Sequence, residues 1–465
     1  MSVRAVAAVD LGATSGRVMI GRIGDGRLDL ELVSRFPNGP VEREDGLHWD
    51  FSALYEHVVE GLSEAVRREP TIESIGIDSW AVDYGLVKDG GLLAEPFHYR
   101  DGRSARGVDE VHAIAPPAEL YRRNGLQFLP FNTLYQYRVD ERLAAADTAL
   151  LIPDLIAFLL TGSTVAERTN ASTTGLLGVE TGEWDTALAD RLGIPRRVLP
   201  RLVDPGTTIG VLRPELSGRI GKELPVIAVG SHDTASAVVA APLSTPRSAY
   251  ISCGTWGLVG VELTEPVLTD AARESNFTHE LGVDGRYRFL HNVTGLWLLS
   301  ETVRAWEAED GAGIDLAALL SAASAVTGDV PIFDADDPSL STPGDMPARI
   351  AALLGDRTPS SRAAFARTVV ESIAAAFAGA VQTAADLSGR ELDAIHLVGG
   401  GSLNRLLCQA TADRTGLPVL AGPVEATALG NVLVQARARG AAPATLEELR
   451  VLVAATHAPE RFDAR

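Results

Sequence analysis

The sequence is poor in cysteine and in positive charge. Its 465 residues include two cysteines, Cys253 and Cys408, which allow neither a disulfide framework nor a CxxC metal pattern. This usage fits a reducing cytoplasm. The 41 basic residues are outnumbered by 61 acidic ones, which gives a formal net charge of −20 with no basic run. We therefore expect no nucleic-acid partner, because such binding depends on clustered positive charge.

Long hydrophobic runs are also missing. No stretch approaches the ~18 consecutive apolar residues of a membrane-spanning helix. The first residues, "MSVRAVAAVD", reach an aspartate too early for a signal peptide. We therefore expect no membrane partner and a cytoplasmic location. The length predicts two or three domains, and an apolar content of 46% is enough for large buried cores.

Strand and helix patterns predict an α/β protein with an internal repeat. Residues 3–9, 17–23 and 28–35 read as strands, and 52–69 as an amphipathic helix with Ser52 as its N-cap. Residues 361–387 predict a long helix, and the acidic, proline-rich segment 334–347 predicts a loop. The β–turn–β pattern of "AVAAVDLGATSGRVMIG" returns in "SAYISCGTWGLVGVE" after the proline-bearing segment 240–250. This similarity suggests a duplication with a boundary near that segment.

Three glycine-rich turns each follow an apolar strand, after Val9, Ser252 and Val398. Glycines there let a phosphate or a base lie against the backbone, although each turn alone is also typical of an ordinary hairpin or βα connection. Thr14, Ser15 and Thr255 add hydroxyls, and the three turns together favour a nucleotide site. No GxxxxGK[ST] or GxGxxG pattern is present, which argues against P-loop and Rossmann proteins.

Two aspartates at strand ends are candidates for chemistry. Asp10 ends the first strand, just before its glycine turn. It is either a ligand for Mg²⁺, which prefers carboxylate oxygens, or a residue that stabilises the turn. Asp233 follows His232 in "VGSHDTASAVV", where an apolar strand meets an alanine-rich helix. It is either a catalytic base or a helix cap.

Motifs from Val9 to Asn431 resemble the FGGY carbohydrate kinases, a branch of the actin-like ATPase superfamily. They are "VDLGATSGRVM", "SIGIDSWAVD", "YRDGRS", "GLQFLPFNTLYQ", "SHDTASAV", "SCGTWGL", "NVTGLWLL", "VGGGSLN" and "GPVEATALGN". The resemblance implies an α/β fold of two duplicated ribonuclease-H-like domains, each a mixed sheet flanked by helices, with a cleft between them. Residues 1–241 would bind sugar and phosphate, and residues 242–465 would bind the nucleotide. The stretch "GLQFLPFNTLYQ" narrows the resemblance to members that phosphorylate L-rhamnulose at O1 in L-rhamnose catabolism.

The resemblance also implies a set of site residues, with ATP and Mg²⁺ as cofactors. Asp233 matches the catalytic base, and Asp10 the carboxylate near Mg²⁺. The sugar would be bound by Ala81, His232, Thr234 and Asn292. The nucleotide would be bound by Ala13, Thr14, Ser15, Gly16, Arg17, Thr255 and Gly400.

Two positions depart from the family pattern, and two other functions stay open. Ala81 stands where relatives commonly have glycine beside the sugar, so its methyl group could narrow the pocket. Ser300 stands where relatives have glutamine, so that nucleotide contact is not carried over. The alternatives are a kinase for another sugar, such as L-fuculose, L-ribulose or a signalling furanone, and an actin- or chaperone-like ATPase. The sequence leaves monomer and homodimer equally open.

Overall fold

The computed structural model describes residues 3–243, 245–342 and 344–465. Within these ranges the strands are β1 Arg4–Leu11, β2 Ser15–Gly24, β3 Arg27–Pro37, β4 Pro40–Arg43, β5 Gly46–Trp49, β6 Ile72–Ser79, β7 Tyr84–Lys88, β8 Gly91–Leu92, β9 Thr148–Leu151, β10 Val165–Glu167, β11 Arg201–Val203, β12 Thr208–Val211, β13 Pro225–Ile227, β14 Ser248–Cys253, β15 Trp256–Leu263, β16 Thr278–Leu281, β17 Tyr287–Thr294, β18 Ala394–Val398, β19 Val419–Ala421 and β20 Glu460–Phe462.

The α-helices of the same ranges are α1 Phe51–Arg68, α2 Ser104–Ile114, α3 Pro117–Asn124, α4 Thr133–Val139, α5 Ile152–Thr161, α6 Arg168–Ala171, α7 Thr186–Arg191, α8 Pro214–Ile220, α9 Asp233–Ala240, α10 Asp270–Glu274, α11 Trp297–Asp310, α12 Leu316–Ser324, α13 Met346–Leu354, α14 Arg362–Ser388, α15 Arg405–Thr415, α16 Ala426–Ala438 and α17 Leu446–Thr456. Short 3₁₀ turns lie at Glu141–Ala145, Ser172–Thr174, Arg196–Val198, Val283–Gly285, Pro338–Leu340, Gly355–Arg357 and Gly400–Leu403.

The chain divides into two compact units. The first comprises Met1–Ala240, Leu263–Phe289 and Ala426–Thr456. The second comprises Ala241–Glu262, Leu290–Glu425 and His457–Arg465. The C-terminal helices α16 and α17 therefore pack in the same unit as the N-terminal sheet.

The central sheet of the first unit has the strand order β3-β2-β1-β6-β13-β12. Strands β1, β2 and β3 form an antiparallel meander, β6 and β13 add to it in parallel, and β12 closes the edge antiparallel to β13. Strand β1 is almost wholly buried, in keeping with its nearly continuous apolar sequence. The carboxyl ends of β1, β6 and β13 meet at one edge of this sheet.

Six neighbouring strands of a second, seven-stranded sheet repeat this arrangement in the order β17-β15-β14-β18-β19-β20. Strand β14 pairs antiparallel with β15 and parallel with β18, as β1 pairs with β2 and β6. Strand β20 closes the edge antiparallel to β19, as β12 does for β13. The predicted duplication of a mixed, helix-flanked α/β domain is confirmed.

Two local predictions need correction. The N-cap of α1 is Asp50, which accepts a hydrogen bond from the backbone N–H of Ala53, and not Ser52. Ser52 is instead within the helix and donates its hydroxyl hydrogen to Glu95. The predicted loop at 334–347 contains a 3₁₀ turn at Pro338–Leu340 and the start of α13. Met346, the first residue of that helix, is fully buried, which the loop composition did not indicate. Residue 343 of that prediction lies outside the described residues.

Helix α14 confirms the predicted long helix and has the length and composition of a membrane span. However, 67% of its most apolar window is buried inside the protein, which is typical of a core helix. Its N-cap, Ser361, accepts a hydrogen bond from the N–H of Ala364.

Candidate active site

The carboxyl ends of three neighbouring strands bring the acidic residues of the first unit together. In the parallel pairing of β1 with β6, Asp10 lies opposite Asp78. Next along, Ser79 forms a parallel bridge with His232, and its backbone N–H donates to the carbonyl of Ser231 at 2.9 Å. Asp233, the first residue of α9, follows directly. The fold thus places Asp10, Asp78 and Asp233 at one sheet edge, as parallel strand ends require.

Asp10 and Asp78 are held in different ways although both are buried. Arg17 donates a hydrogen bond to Asp10 at 2.6 Å, which compensates its charge. Asp78 receives a hydrogen bond of 2.6 Å from the side-chain amide of Asn431 on α16. Burial and the nearby charge of Asp10 hold the pKa of Asp78 well above its usual range. The two adjacent carboxyl groups are thus held by donors of different charge, a guanidinium at Asp10 and a neutral amide at Asp78.

The glycine turn after β1 is a tight hairpin. The N–H of Gly12 donates to the carbonyl of Ser15 at 2.9 Å, and Asn38 binds Gly12 and Thr14 through its side chain and backbone. Thr14, at the tip, is exposed. Gly16 is buried, and a Cβ there would lie 2.2 Å from the ring of Phe36. The lack of a side chain at Gly16 thus has a packing cause in addition to the predicted phosphate contact.

His232 is fixed by two buried partners that the sequence does not reveal. Its Nδ1 accepts a hydrogen bond of 2.9 Å from Arg288, which is completely buried. Glu280 lies 3.0 Å from Arg288 and compensates its charge. Burial alone would raise the pKa of Glu280, but its interactions with Arg288 and His232 together outweigh burial and hold the pKa below the usual range. Because a guanidinium only donates, this bond favours the neutral tautomer with its proton on Nε2, and Oε2 of Glu280 also lies 3.2 Å from Nδ1.

Asp233 is the more accessible member of the His–Asp pair. Its side chain is 32% exposed, whereas that of His232 is 8% exposed. Oδ1 accepts the N–H of Thr234 at 2.6 Å and lies 3.4 Å from Nε2 of His232. A helix N-cap would instead accept from residues two or three positions further on. The hydroxyl of Thr234 also donates to Oδ1, at 3.2 Å, and no hydrogen bond to Oδ2 is found among the described residues, so Oδ2 is available to accept one from a ligand.

Ala81 lies in a segment anchored by a buried carboxylate. Asp83 accepts hydrogen bonds from the indole N–H groups of Trp49 at 2.6 Å and Trp80 at 3.1 Å. The side-chain amide of Gln136, the last residue of "GLQFLPFNTLYQ", also donates to Asp83. Burial raises the pKa of Asp83 to about 6. Two motifs that are distant in sequence therefore meet at this carboxylate and hold the backbone around Ala81.

In the second unit, two glycine turns lie at the ends of adjacent parallel strands. The turn at Gly254–Thr255 follows β14, and the turn at Gly399–Gly400 follows β18. Gly399 has a φ of +85°, and a Cβ there would lie 2.8 Å from the carbonyl oxygen of Cys253, so only glycine fits. A Cβ at Gly400 would meet nothing within 4 Å. The open side of this turn is the face that a ligand can approach.

Asn292 lies on β17 in the second unit. Two residues on, the N–H of Thr294 donates to Asp336 at 2.7 Å. The hydrogen bond from Thr294 and the His291 imidazole oppose burial and hold the pKa of Asp336 below its usual range. Thr255, in the turn after β14, lies beside the start of α11, and its carbonyl accepts the N–H of Trp297 at 3.1 Å.

Repeated sheets of this order, with carboxylates and glycine turns at the strand ends, define a duplicated α/β protein of the actin-like ATPase class. Residues 5–240 match the N-terminal domain of the FGGY family of carbohydrate kinases, and residues 249–439 match its C-terminal domain. The chain belongs to the FGGY family of carbohydrate kinases.

Curated relatives and solved structures agree with this assignment. Rhamnulokinase from Bacteroides thetaiotaomicron is 39% identical over 94% of this chain and 91% of the relative. Rhamnulokinase from Klebsiella pneumoniae is 41% identical over 94% of this chain and 90% of the relative. Xylulose kinase from Lactobacillus acidophilus shares the fold, with a TM-score of 0.82 and 18% identity over 99% of this chain and 94% of that protein.

Proposed function

We propose that the protein transfers the γ-phosphoryl group of ATP to O1 of L-rhamnulose, giving L-rhamnulose 1-phosphate and ADP in L-rhamnose catabolism. The observation that carries this proposal is the 39–41% identity, over 94% of the chain, to proteins named rhamnulokinase. The two free, buried cysteines are in keeping with a cytoplasmic enzyme. Residues 1–241 would serve the sugar and phosphates, and residues 242–465 the nucleotide.

Asp233 is the proposed base, and His232 a proposed donor to the sugar. The hydrogen bond from Arg288 occupies Nδ1 of His232 and favours the neutral tautomer whose proton is on Nε2, the nitrogen that faces Asp233. A nitrogen that already carries a proton cannot remove another from a sugar hydroxyl. The carboxylate of Asp233 can, and its exposed fraction makes it reachable.

The remaining sugar contacts are assigned to Ala81, Thr234 and Asn292. Thr234 begins the helix after Asp233, and its hydroxyl lies 3.2 Å from Oδ1 of Asp233. It can therefore orient the carboxylate and a sugar oxygen together. Ala81 adds one methyl group to its part of the pocket, in a segment that Asp83 holds in place.

The phosphates of ATP are assigned to the hairpin of Ala13, Thr14, Ser15, Gly16 and Arg17, and the rest of the nucleotide to Thr255 and Gly400. Backbone N–H groups in such turns bind phosphate oxygens. Arg17 carries the positive charge of this hairpin. Its guanidinium has five N–H donors, so it can bind a phosphate oxygen in addition to Asp10.

Mg²⁺ is the proposed cofactor, with Asp10 as the residue that holds it. No group of three or more His, Cys, Asp or Glu side chains in the described part of the chain forms a complete metal cage. The donor set still fits Mg²⁺, which is commonly held by one or two carboxylates together with substrate phosphates and waters. Asp10 supplies such an oxygen, and the Oδ1 atom of the adjacent Asp78 is buried without a hydrogen-bond partner among the described residues. The ion would offset negative charge on the phosphates.

The substrate is tested by ATP-coupled turnover with L-rhamnulose, L-fuculose and L-ribulose. We expect the highest kcat/KM with L-rhamnulose and no ADP release without sugar. A tenfold preference for another ketose would refute the sugar but not the kinase, and sugar-independent ADP release would favour the ATPase alternative.

The base is tested by Asp233→Asn beside His232→Asn. We expect Asp233→Asn to lower kcat by ~10²–10⁴-fold with little change in sugar affinity, because the amide keeps the shape but cannot accept a proton. His232→Asn should mainly weaken sugar binding. A larger kcat loss in His232→Asn would exchange the two roles.

A further inference from the structure

Glu167 is a fully buried carboxylate whose hydrogen-bond donors come from two directions. It ends β10 and precedes α6. Its Oε1 accepts the N–H of Thr169 at 2.8 Å, and its Oε2 accepts the N–H of Asn170 at 3.3 Å. From the other side, Oε2 accepts both the N–H of Ser231 at 2.9 Å and its hydroxyl at 2.8 Å. One carboxylate thus joins the start of α6 to the segment that leads into Asp233.

The segment 231–232 is held by further bonds around the same carboxylate. The N–H of His232 donates to the hydroxyl oxygen of Thr169 at 3.3 Å, and the hydroxyl of Thr169 donates to Glu167. On the opposite side, the N–H of Ser79 donates to the carbonyl of Ser231 at 2.9 Å. The backbone before Asp233 is therefore bound on both sides, with Glu167 as the common acceptor on one of them.

Only a carboxylate suits this environment. Every group that hydrogen-bonds to the Glu167 side chain is a donor, and an ionised carboxylate is purely an acceptor. Burial raises the pKa of Glu167, and the hydrogen bonds from Thr169 and Ser231 oppose that rise. An amide of the same shape would turn one oxygen into an NH₂ group, which would face the N–H of Thr169 or the two donors of Ser231. The substitution Glu167→Gln therefore breaks the acceptor set with almost no change in volume.

We propose that Glu167 is a positioning residue for catalysis, which sets the location of Asp233 by binding Ser231 and the start of α6 with one buried carboxylate. Glu167 acts through Asp233 in this proposal, so the inference rests on the proposed function of Asp233 as the base. Glu167 does not itself react, but the loss of its carboxylate would shift the base relative to the sugar hydroxyl. A displacement of about 1 Å in such a group can cost about 10²-fold in rate.

The test is a double-mutant cycle of Glu167→Gln and Asp233→Asn in the full-length enzyme, with single-turnover rate, sugar affinity and melting temperature measured on each variant. We expect Glu167→Gln to lower the rate by about 10²-fold when Asp233 is present. In the Asp233→Asn background the same change should have almost no effect on the rate, because there is no base left to misplace. Sugar affinity should change far less than the rate.

Asp154→Asn is the matched control. Asp154 is as buried as Glu167 and accepts the backbone N–H of Glu167 at 3.2 Å, but it has no hydrogen bond to residues 231–233 among those described. Asparagine keeps the shape of Asp154 and an oxygen that can accept this hydrogen bond. This variant should keep the wild-type rate even if its melting temperature falls.

Each outcome supports or overturns the proposal. Equal rate losses from Glu167→Gln in the wild-type and Asp233→Asn backgrounds would overturn it. An unchanged rate for Glu167→Gln relative to the wild type would overturn it as well. If Glu167→Gln does not fold, Ser231→Ala removes only the hydroxyl bond and should give a smaller loss that again disappears in the Asp233→Asn background; an additive loss would overturn the proposal. A near-normal rate for Asp233→Asn alone would refute the base assignment, which is a separate result.

Discussion

Replacing Gly430 with alanine tests whether helices α9 and α16 must pack as closely as the structure shows. A Cβ on Gly430 would lie 1.8 Å from the carbonyl oxygen and 2.6 Å from the carbonyl carbon of Ser236 on α9. A carbon–oxygen contact needs about 3.3 Å, so the helices would have to separate by roughly 1.5 Å. The obstacle is backbone, which cannot rotate away as a side chain can.

The magnitude follows from two opposing effects. Alanine in a helix is favoured over glycine by about 1 kcal/mol. Overpacking costs about 1–3 kcal/mol, and the upper end applies here because a helix backbone must move. We expect Gly430→Ala to lower the free energy of unfolding by about 2 kcal/mol. Since α9 begins with Asp233, kcat should fall too.

The assay is urea denaturation followed by circular dichroism and tryptophan fluorescence, with kcat measured on the same samples. Gly218→Ala is the matched control, because Gly218 lies in α8 of the same unit and a Cβ there would meet nothing within 4 Å. It should gain up to about 1 kcal/mol. An unfolding midpoint for Gly430→Ala equal to or above that of the wild type would refute the close-packing argument.

Two further predictions concern acidic stability and sugar choice. Burial lowers the pKa of His279 to about 4. Between about pH 6.5 and 4, the unfolded chain therefore binds a proton at this residue that the folded chain does not. The free energy of unfolding should fall by up to about 3 kcal/mol as the pH drops through that window. His279→Gln should flatten this slope in urea titrations, and identical slopes would contradict it. Ala81→Gly should change the ratio of kcat/KM for L-rhamnulose over L-fuculose by the equivalent of ~1–3 kcal/mol, and an unchanged ratio would remove Ala81 from the pocket.

The sequence predicted features that depend on local patterns. The strands of the first meander, the long helix α14 and the repeated β–turn–β unit all follow from apolar periodicity and glycine positions. The prediction of Ser52 as the N-cap of α1 was wrong, because Glu95, which is distant in sequence, binds the hydroxyl of Ser52 and Asp50 caps the helix instead. Local patterns cannot include such a long-range partner.

The same limit applies to the candidate site. His232 and Asp233 stand side by side in a recognisable motif, but their partners do not. Arg288 and Glu280 come from the β16–β17 region and Glu167 from before α6, and none belongs to a motif that indicates a role. Among the buried site residues that the motifs do not single out, Asp78 alone has a local sequence signal, because it ends the apolar stretch "SIGID". The roles assigned to the site residues stay predictions.

Helix α16 explains why the first unit needs residues from the far end of the chain. Asn431 binds Asp78, and Gln435 accepts the hydroxyl hydrogen of Ser74 at 2.7 Å and donates to the carbonyl of Ala7 at 3.0 Å. Without α16 these buried groups of β1 and β6 would lose their partners, at a cost of about 1–3 kcal/mol each. The placement of Asp78 beside Asp10 also depends on this helix, since Asn431 holds one carboxyl group as Arg17 holds the other. The duplication supplies two similar sheets, but the site on the first sheet is completed only by a helix that the chain reaches after building the second.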